Sequence, residues 1–513
     1  MGRISLPFAT EPPHRYRVHQ MSQEQQSSEE APSARVLIAL LLPLFASLMS
    51  ISSVMVALPA IEEGLGATSS DLQWVLSGYA LAFGVGLVPA GRAGDLWGRR
   101  RFFLIGTAVF AATSLAAAFS PTPLVLNAMR VAAGLGAAML VPQIIGMIQR
   151  LFTGQARGRA YGLMSTVIGV AVAIGPLLGG GLIDAAPADT GWRLVFLLNV
   201  PVTAVALIAA FLWLPKFQDR DAAKAESAGT FRSLLRLDPL GAGLLSVGIV
   251  CIMLPVIQFT NLLGAAIGAA GLALLFLWFW WEKRLGERDP DAPMVNLKLF
   301  TLPSYTWNSA VIIIYFAGMP GIWAVVAIYI QQGLGLGALT AGLVMLPSAA
   351  MVILLASQVG RRVERVGPQM LILGSVAAFV SMLVLAGAAL LQSTEWASIG
   401  WVALALGVNG LSQALIIPSA QTLSMQDVPE SMAGAAGGVA QSAQRVVTAI
   451  GLAVVTAVYF MVLPGGDHQT AMLVAALVIA GIMLTAVAAA VGAARRAAAE
   501  RRIGSGAAFT ADG

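Results

Sequence analysis

Charge is scarce in this chain. Only 11% of its 513 residues are Asp, Glu, Lys or Arg, against about 25% in soluble domains. Hydrophobic residues make up 58%, and the mean hydropathy is +0.81. That balance excludes a soluble globular protein. Cysteine is almost absent too. The single Cys251 lies in an apolar run, cannot form an intrachain disulfide, lacks partners for a thiolate metal site, and reads as packing. The three histidines, His14, His19 and His468, fall in a tail or a connecting loop. No His/Cys/carboxylate cluster exists, so no catalytic residue, metal, cofactor or enzymatic activity is expected. No phosphate-binding P-loop is present, which argues against drive by ATP. No long run alternates polar and apolar residues, which excludes a membrane barrel. Residues 1–35 are polar and carry no apolar h-region, so they are not a secretory signal peptide. Met21, opening "MSQEQQSSEEAPSAR", is an alternative start.

Long apolar runs are what the chain has in abundance. Fourteen fall at 36–58, 74–90, 102–119, 124–148, 161–183, 193–214, 239–258, 262–281, 304–330, 339–359, 370–391, 397–422, 433–463 and 470–493. A bilayer core needs about 20 apolar residues of helix, and lipid requires each segment to satisfy its own backbone groups. The fold class expected is therefore an all-α polytopic membrane protein with fourteen transmembrane helices. Of the 30 Lys and Arg, 27 lie in the tails and in every second loop. That bias predicts that both termini are cytoplasmic. It also makes the pI of about 9.6 a matter of topology, with no nucleic-acid partner implied. Three cations remain. Arg193 sits at a helix end, whereas Arg130 and Arg445 fall within spans, where ionisable residues are costly and usually functional.

The stretch "GRAGDLWGRRR" at 91–101 packs five charges between two uncharged runs. Its skeleton is Gly91, Asp95 and Gly98. The stretch "GRRVERVG" at 360–367 repeats it as Gly360, Glu364 and Gly367. Two copies, each after an even-numbered span, predict two related six-helix halves. Repeats of this kind are typical of rocking transporters, with a site near mid-depth between them. The domains expected are a disordered cytoplasmic tail at 1–35, a six-helix bundle at 36–215 and a cytoplasmic linker at 216–238. Two inserted helices follow at 239–283, then a cytoplasmic loop at 284–303, a second bundle at 304–494 and a cytoplasmic tail at 495–513.

From about 36 to 495 the chain resembles the major facilitator superfamily, and within it the fourteen-span drug:proton antiporters. "GRAGDLWGRRR" resembles the superfamily's loop motif through Gly91, Asp95, Gly98, Arg99 and Arg100. The resemblance implies a cytoplasmic latch that holds the outward-facing state. "RVAAGLGAA" resembles the fourth-span motif through Arg130, Gly134, Gly136 and Ala138, with Ala133 in place of Gln, and implies that Arg130 takes part in proton coupling. "GLMSTVIGVAVAIGPLLGG" resembles the fifth-span antiporter motif through Gly162, Gly175, Pro176, Gly179 and Gly180, with Ala171 replacing one Gly, and implies export. Shorter echoes of the fourteen-span branch are "LQWVLSGYAL", "WRLVFLLNVP", "LDPLG" and "APMVNLKLF".

The first span departs from that family. "SLMSISSVMVALP" keeps Val56, Ala57, Leu58 and Pro59, but Ser50 stands where the family has Asp, Ser52 where it has Thr and Met55 where it has Asn. No other carboxylate lies at mid-depth. A neutral Ser50 cannot carry a proton or neutralise a lipophilic cation. The expected substrate is therefore neutral, zwitterionic or anionic, and proton coupling is indirect or weak. Ser50, Gln143, Asn308 and Arg445 are the candidate cavity residues. The expected function is export of amphiphilic small molecules across the bacterial cytoplasmic membrane by proton antiport, with a small-molecule substrate, protons and the lipid bilayer as partners and a monomer as the working unit. The alternatives are a dedicated exporter of an endogenous metabolite, peptide or lipid precursor, or a non-transporting membrane receptor.

Overall fold

The computed structural model describes residues 34–187, 190–215, 238–258, 262–289, 292–336, 338–391, 395–465 and 467–509. The expected N-terminal tail up to 33 and the linker at 216–237 lie outside the described residues. All fourteen apolar runs fall on helices. Thirteen helical segments are long and apolar enough to cross a bilayer, and Pro239–Pro255 is a shorter apolar helix.

The first half comprises α1 (Ala34–Leu65), α2 (Ser69–Trp97), α3 (Arg99–Ala118), α4 (Pro123–Ala138), α5 (Val141–Leu151), α6 (Gly154–Asp184), α7 (Gly191–Leu197) and α8 (Asn199–Trp213). The inserted pair is α9 (Pro239–Gln258) and α10 (Leu262–Arg288). The second half comprises α11 (Pro303–Ile328), α12 (Ala338–Val366), α13 (Pro368–Leu390), α14 (Glu395–Ser424), α15 (Ala433–Val462) and α16 (His468–Phe509). Local sequence sets many boundaries. Thr68 and Asp71 form a reciprocal capping box that starts α2. Thr122 caps α4, with Pro123 in its first turn.

Two spans that read as continuous in sequence are each broken into two helices. Pro142 has no N–H to offer the carbonyl of Ala138, and Pro201 has none for Leu197. Each sits just after a break, at α4–α5 and α7–α8. A second correction concerns the stretch expected as a cytoplasmic loop. Residues 91–97 are the last turns of α2, and 99–101 begin α3. Only Gly98, at φ 98°, turns the chain. Its counterpart Gly367, at φ 52°, separates α12 from α13 in the same way. Both positions are in the left-handed region that favours glycine.

Each half has its own core. Buried residues of α11–α16 form one large cluster and a small one of Val352, Ala356 and Ala414. Those of the first half form two, the larger extended by Met425, Val428 and Ala436 of the second half. The inserted helices pack on each other through Gly248 and Gly271, where a Cβ on Gly271 would stand 3.0 Å from Cys251 Cβ. α9 then lies against α2 and α15 through Leu245, Ile249 and Met253.

Candidate functional site

The two halves meet along two seams near the face that carries the Arg-rich turns, here the basic face. The first seam joins α2 to α15. A Cβ on Gly91 would stand 2.8 Å from the carbonyl carbon of Gly434, and one on Gly438 would stand 3.0 Å from Val88 Cα. Such approach requires glycine, and it places Asp95 against the start of α15. Asp95 Oδ2 accepts the Ala435 N–H at 3.0 Å, while Oδ1 pairs with Arg99 at 2.9 Å. Arg99 in turn donates to the carbonyls of Gly146 on α5 and Glu430 in the second half. Ser442 donates to Gly84 O at 2.9 Å, and Gln149 donates to Met425 O at 2.6 Å. Arg100, grouped with this motif in sequence, points elsewhere: it donates to Phe211 O at 2.8 Å, within its own half.

The second seam joins α6 to α12. A Cβ on Gly360 would stand 3.0 Å from Gly158 C, and one on Gly162 would stand 2.8 Å from Ser357 Cα. The first glycine of each repeat copy thus makes a close cross-bundle contact, Gly91 with Gly434 and Gly360 with Gly158. The side chain of Glu364, the repeat's acidic member, lies outside the described residues. The fifth-span motif divides its work. Gly162 serves this seam, whereas Gly175 and Gly179 press on Ser52 and Ser53 of α1, and a Cβ on Gly180 would stand 3.8 Å from Val56. Pro176 lies within an unbroken α6. Ser52 donates to Ala171 O at 3.2 Å, tying α1 to α6 at the residue that replaces a motif glycine.

At mid-depth the structure brings Ser50 and Arg130 together. Gly134 lets α4 approach α2, and Gly136 lets it approach α3, so Arg130 reaches across the bundle. It is 1% exposed. Its Nε donates to Val75 O at 2.9 Å and its Nη1 to Ser50 Oγ at 3.3 Å, while Nη2 has no partner. The guanidinium lies 4.4 Å from the Tyr79 ring centroid. Tyr79 stacks on Phe83 at 6.2 Å and 16°, and Phe83 carries Arg445 of α15 at 4.8 Å. Arg193, the third leftover cation, donates to the carbonyls of Ala118 and Ser120 where α3 ends.

The other two candidates sit apart. Gln143 is fully buried, donates to Ala90 O at 2.7 Å, and fills the space left by Gly94. It is a packing residue of the α2–α5 contact. Asn308 donates to Ser304 O on its own helix at 2.7 Å. Neither lines the narrow pocket between the halves, which is walled by Ile145 and Tyr161 from the first and by Ser309, Gln421, Gln441 and Gln444 from the second. Tyr161 OH, Ser309 Oγ and Gln421 Oε1 are buried there without partners. Sequence reasoning missed this set. The available signal was the pair Gln441 and Gln444, three apart within an apolar run. It also left unconnected the buried carboxylates Asp238 and Glu282. Asp238 Oδ1 accepts Trp281 Nε1–H and Gly241 N–H at 3.0 Å, and Glu282 accepts Trp278 Nε1–H at 3.0 Å and Val295 N–H at 3.3 Å. This joint links "LDPLG" to "APMVNLKLF".

The Major Facilitator Superfamily description matches residues 40–452. This chain belongs to the major facilitator superfamily. Its architecture is the major facilitator fold, two six-helix bundles with α9 and α10 inserted between them. It is 31% identical to the probable actinorhodin transporter of Streptomyces coelicolor over 81% of this chain and 70% of that protein. It is 30% identical to the multidrug resistance protein Stp of Mycobacterium tuberculosis, over 82% and 75%. The same identity holds with the tetracenomycin C resistance and export protein of Streptomyces glaucescens, over 78% and 71%. The human organic anion transporter MFSD10 superposes with a TM-score of 0.61 at 16% identity, covering 89% of this chain and 99% of that one. The proton:xylose symporter XylE does so at 0.61 and 14%, covering 89% and 95%. At those identities the structures speak for the fold alone. The chain is a multi-pass membrane transporter of the superfamily to which those drug and antibiotic efflux proteins belong, not an enzyme.

Proposed function

We propose that this transporter exports amphiphilic small molecules across the bacterial cytoplasmic membrane by alternating access, with the basic face and both termini cytoplasmic. The observation that carries this reading is the clasp of Asp95 and Arg99 on the start of α15. It closes the basic face by contacts that a rocking of the two bundles would break as a unit. The Gly158–Gly360 contact closes the second seam at the same end. The present conformation is then outward-facing, and the turn around Gly98 is its latch. Substrate exchanges for protons, with Arg130 as the coupling residue. Ser50 accepts its hydrogen bond where a carboxylate would otherwise take the proton. The whole path is built within one chain, so a monomer suffices.

The relatives named for actinorhodin and for tetracenomycin C favour a second reading, a dedicated exporter of one aromatic metabolite made by the same cell. Inside-out membrane vesicles test both. With an acidified lumen, a substrate should be accumulated and release protons. Accumulation without proton release would overturn antiport and keep export. A screen in which one compound class alone is accumulated would favour the dedicated reading. No accumulation of any amphiphile would overturn export.

A further inference from the structure

Two guanidinium groups face mid-depth from opposite bundles, and neither has a counter-charge. Arg130 from α4 is buried with one amino group unpartnered. Arg445 from α15 is half-buried, its Nε is buried without a partner, and among the described residues it makes no hydrogen bond or ion pair. Both lie on one aromatic step of α2, Arg130 against Tyr79 and Arg445 against Phe83. The rings stack in register four residues apart. The residue that could have neutralised Arg130 is Ser50, an uncharged hydroxyl.

An uncompensated charge in a low-dielectric interior is strongly unfavourable, and two of one sign repel. The ring faces offset part of this for each cation but supply no net negative charge. The cationic groups also come from different halves, so a ligand touching both is held only while the α2–α15 seam keeps them near. We propose that this pair is an anion seat, and that the molecule carried is an organic monoanion whose carboxylate or acidic phenolate sits between Arg445 and the Arg130–Ser50 pair. This rests on the export reading above and adds to it the charge of the cargo. Arg445 supplies the free donors, and the unpartnered Nη2 of Arg130 supplies the second contact. A bidentate guanidinium–carboxylate geometry gives the selectivity. A quaternary ammonium ion would meet two like charges there and no carboxylate, so it is rejected.

The test uses the purified full-length protein in nanodiscs and three fluorescent probes with one ring system: 1-pyrenebutyrate, its methyl ester, and a pyrenylbutyl trimethylammonium salt. The acid should bind at least tenfold more tightly than the ester, and the ammonium more weakly still. Arg445→Gln should reduce acid affinity tenfold or more and leave the ester unchanged, while Arg445→Lys should retain most of the acid affinity. Ser50→Asp removes neither arginine, yet its carboxylate would occupy the seat and should lower acid affinity by a similar factor. Equal affinity for acid and ester, no binding of the acid, or an equal loss for all three probes in Arg445→Gln would overturn the proposal. Uptake of the same probes into inside-out vesicles is read separately. Uptake of the ester or ammonium without selective acid binding refutes the seat and keeps export. Tight, Arg445-dependent binding of the acid with no uptake of any probe keeps the seat and refutes export.

Discussion

Replacing Asp95 is the sharpest probe of the clasp, because its carboxylate takes part in both a pair across the Gly98 turn and a cross-bundle bond. The pair with Arg99 joins residues four apart and spans the α2–α3 turn at Gly98, so it persists whether the seam is open or shut. The terms of the clasp itself lost on opening are the Ala435 N–H to Asp95 bond and the Arg99 bond to Glu430 O. Hydrogen bonds to charged groups are worth about 1.5–3 kcal/mol net, and neutral ones about 0.5–1.5. Asp95→Asn keeps an acceptor but removes its charge, and should shift the balance toward the open basic face by about 1.4 kcal/mol, roughly tenfold. Asp95→Ala removes the acceptor and leaves Arg99 unanchored. It should shift the balance by about 2–3 kcal/mol, some thirtyfold to more than a hundredfold. The assay is double electron–electron resonance between spin labels at Arg101 and Ser431, in a Cys251→Ser background. The parent should show mainly one short distance. A longer population should appear in Asp95→Asn and dominate in Asp95→Ala. Identical distance distributions in all three would refute the clasp as a latch.

Other substitutions probe the remaining joints. Gly360→Ala places a methyl against the Gly158 backbone and should cost about 1–3 kcal/mol of closure at the second seam, seen as slowed export with unchanged expression. Ser50→Asp supplies the missing midplane carboxylate beside Arg130 and should confer export of a permanent cation such as ethidium, measured by dye efflux from whole cells. Glu282→Gln should lower the melting temperature by less than the alanine change does, since its single acceptor oxygen serves only one of the Trp278 and Val295 N–H donors. Glu282→Ala should destabilise by about 1–3 kcal/mol by leaving Trp278 and Val295 N–H groups unpaired. If the cargo is an anion, a lumen-positive potential across inside-out vesicles should speed its accumulation, with about 2.3 kcal/mol of drive per 100 mV and charge.

The spans were legible because lipid imposes a length and a polarity on every segment, and nothing local overrides that. The repeat was legible for a different reason. Gly98 and Gly367 need positive φ, and Gly91 and Gly360 need bare backbone, so the same physical demand leaves the same letters. What the letters did not disclose was the continuation of α2 through five polar or small residues. A charged stretch reads as a loop until its partners are known, and those partners lie more than 330 positions away. The partners of Gln143 were hidden for a related reason: a polar side chain in an apolar span reads as cavity-lining, and its bond to the Ala90 carbonyl and its fit into the gap at Gly94 appear only in the fold. The family pattern marked Ser50 and Arg130 one by one; neither their contact nor the position of Arg445 over Phe83 was written in it, because no pattern ties these helices to one another at that depth.

The seam at Gly158 and Gly360 differs in kind from the clasp. At these two glycines it holds backbone against backbone, with no side chain standing between the helices. Such a contact behaves as a plain bearing, able to roll through an angle at little cost as long as its radius stays fixed. The α2–α15 side, with directional bonds, behaves as a ratchet tooth, engaged or released. A machine with one bearing and one tooth has a single degree of freedom. The balance between its two ends is then set at the tooth, while a change at the bearing drags on every turn.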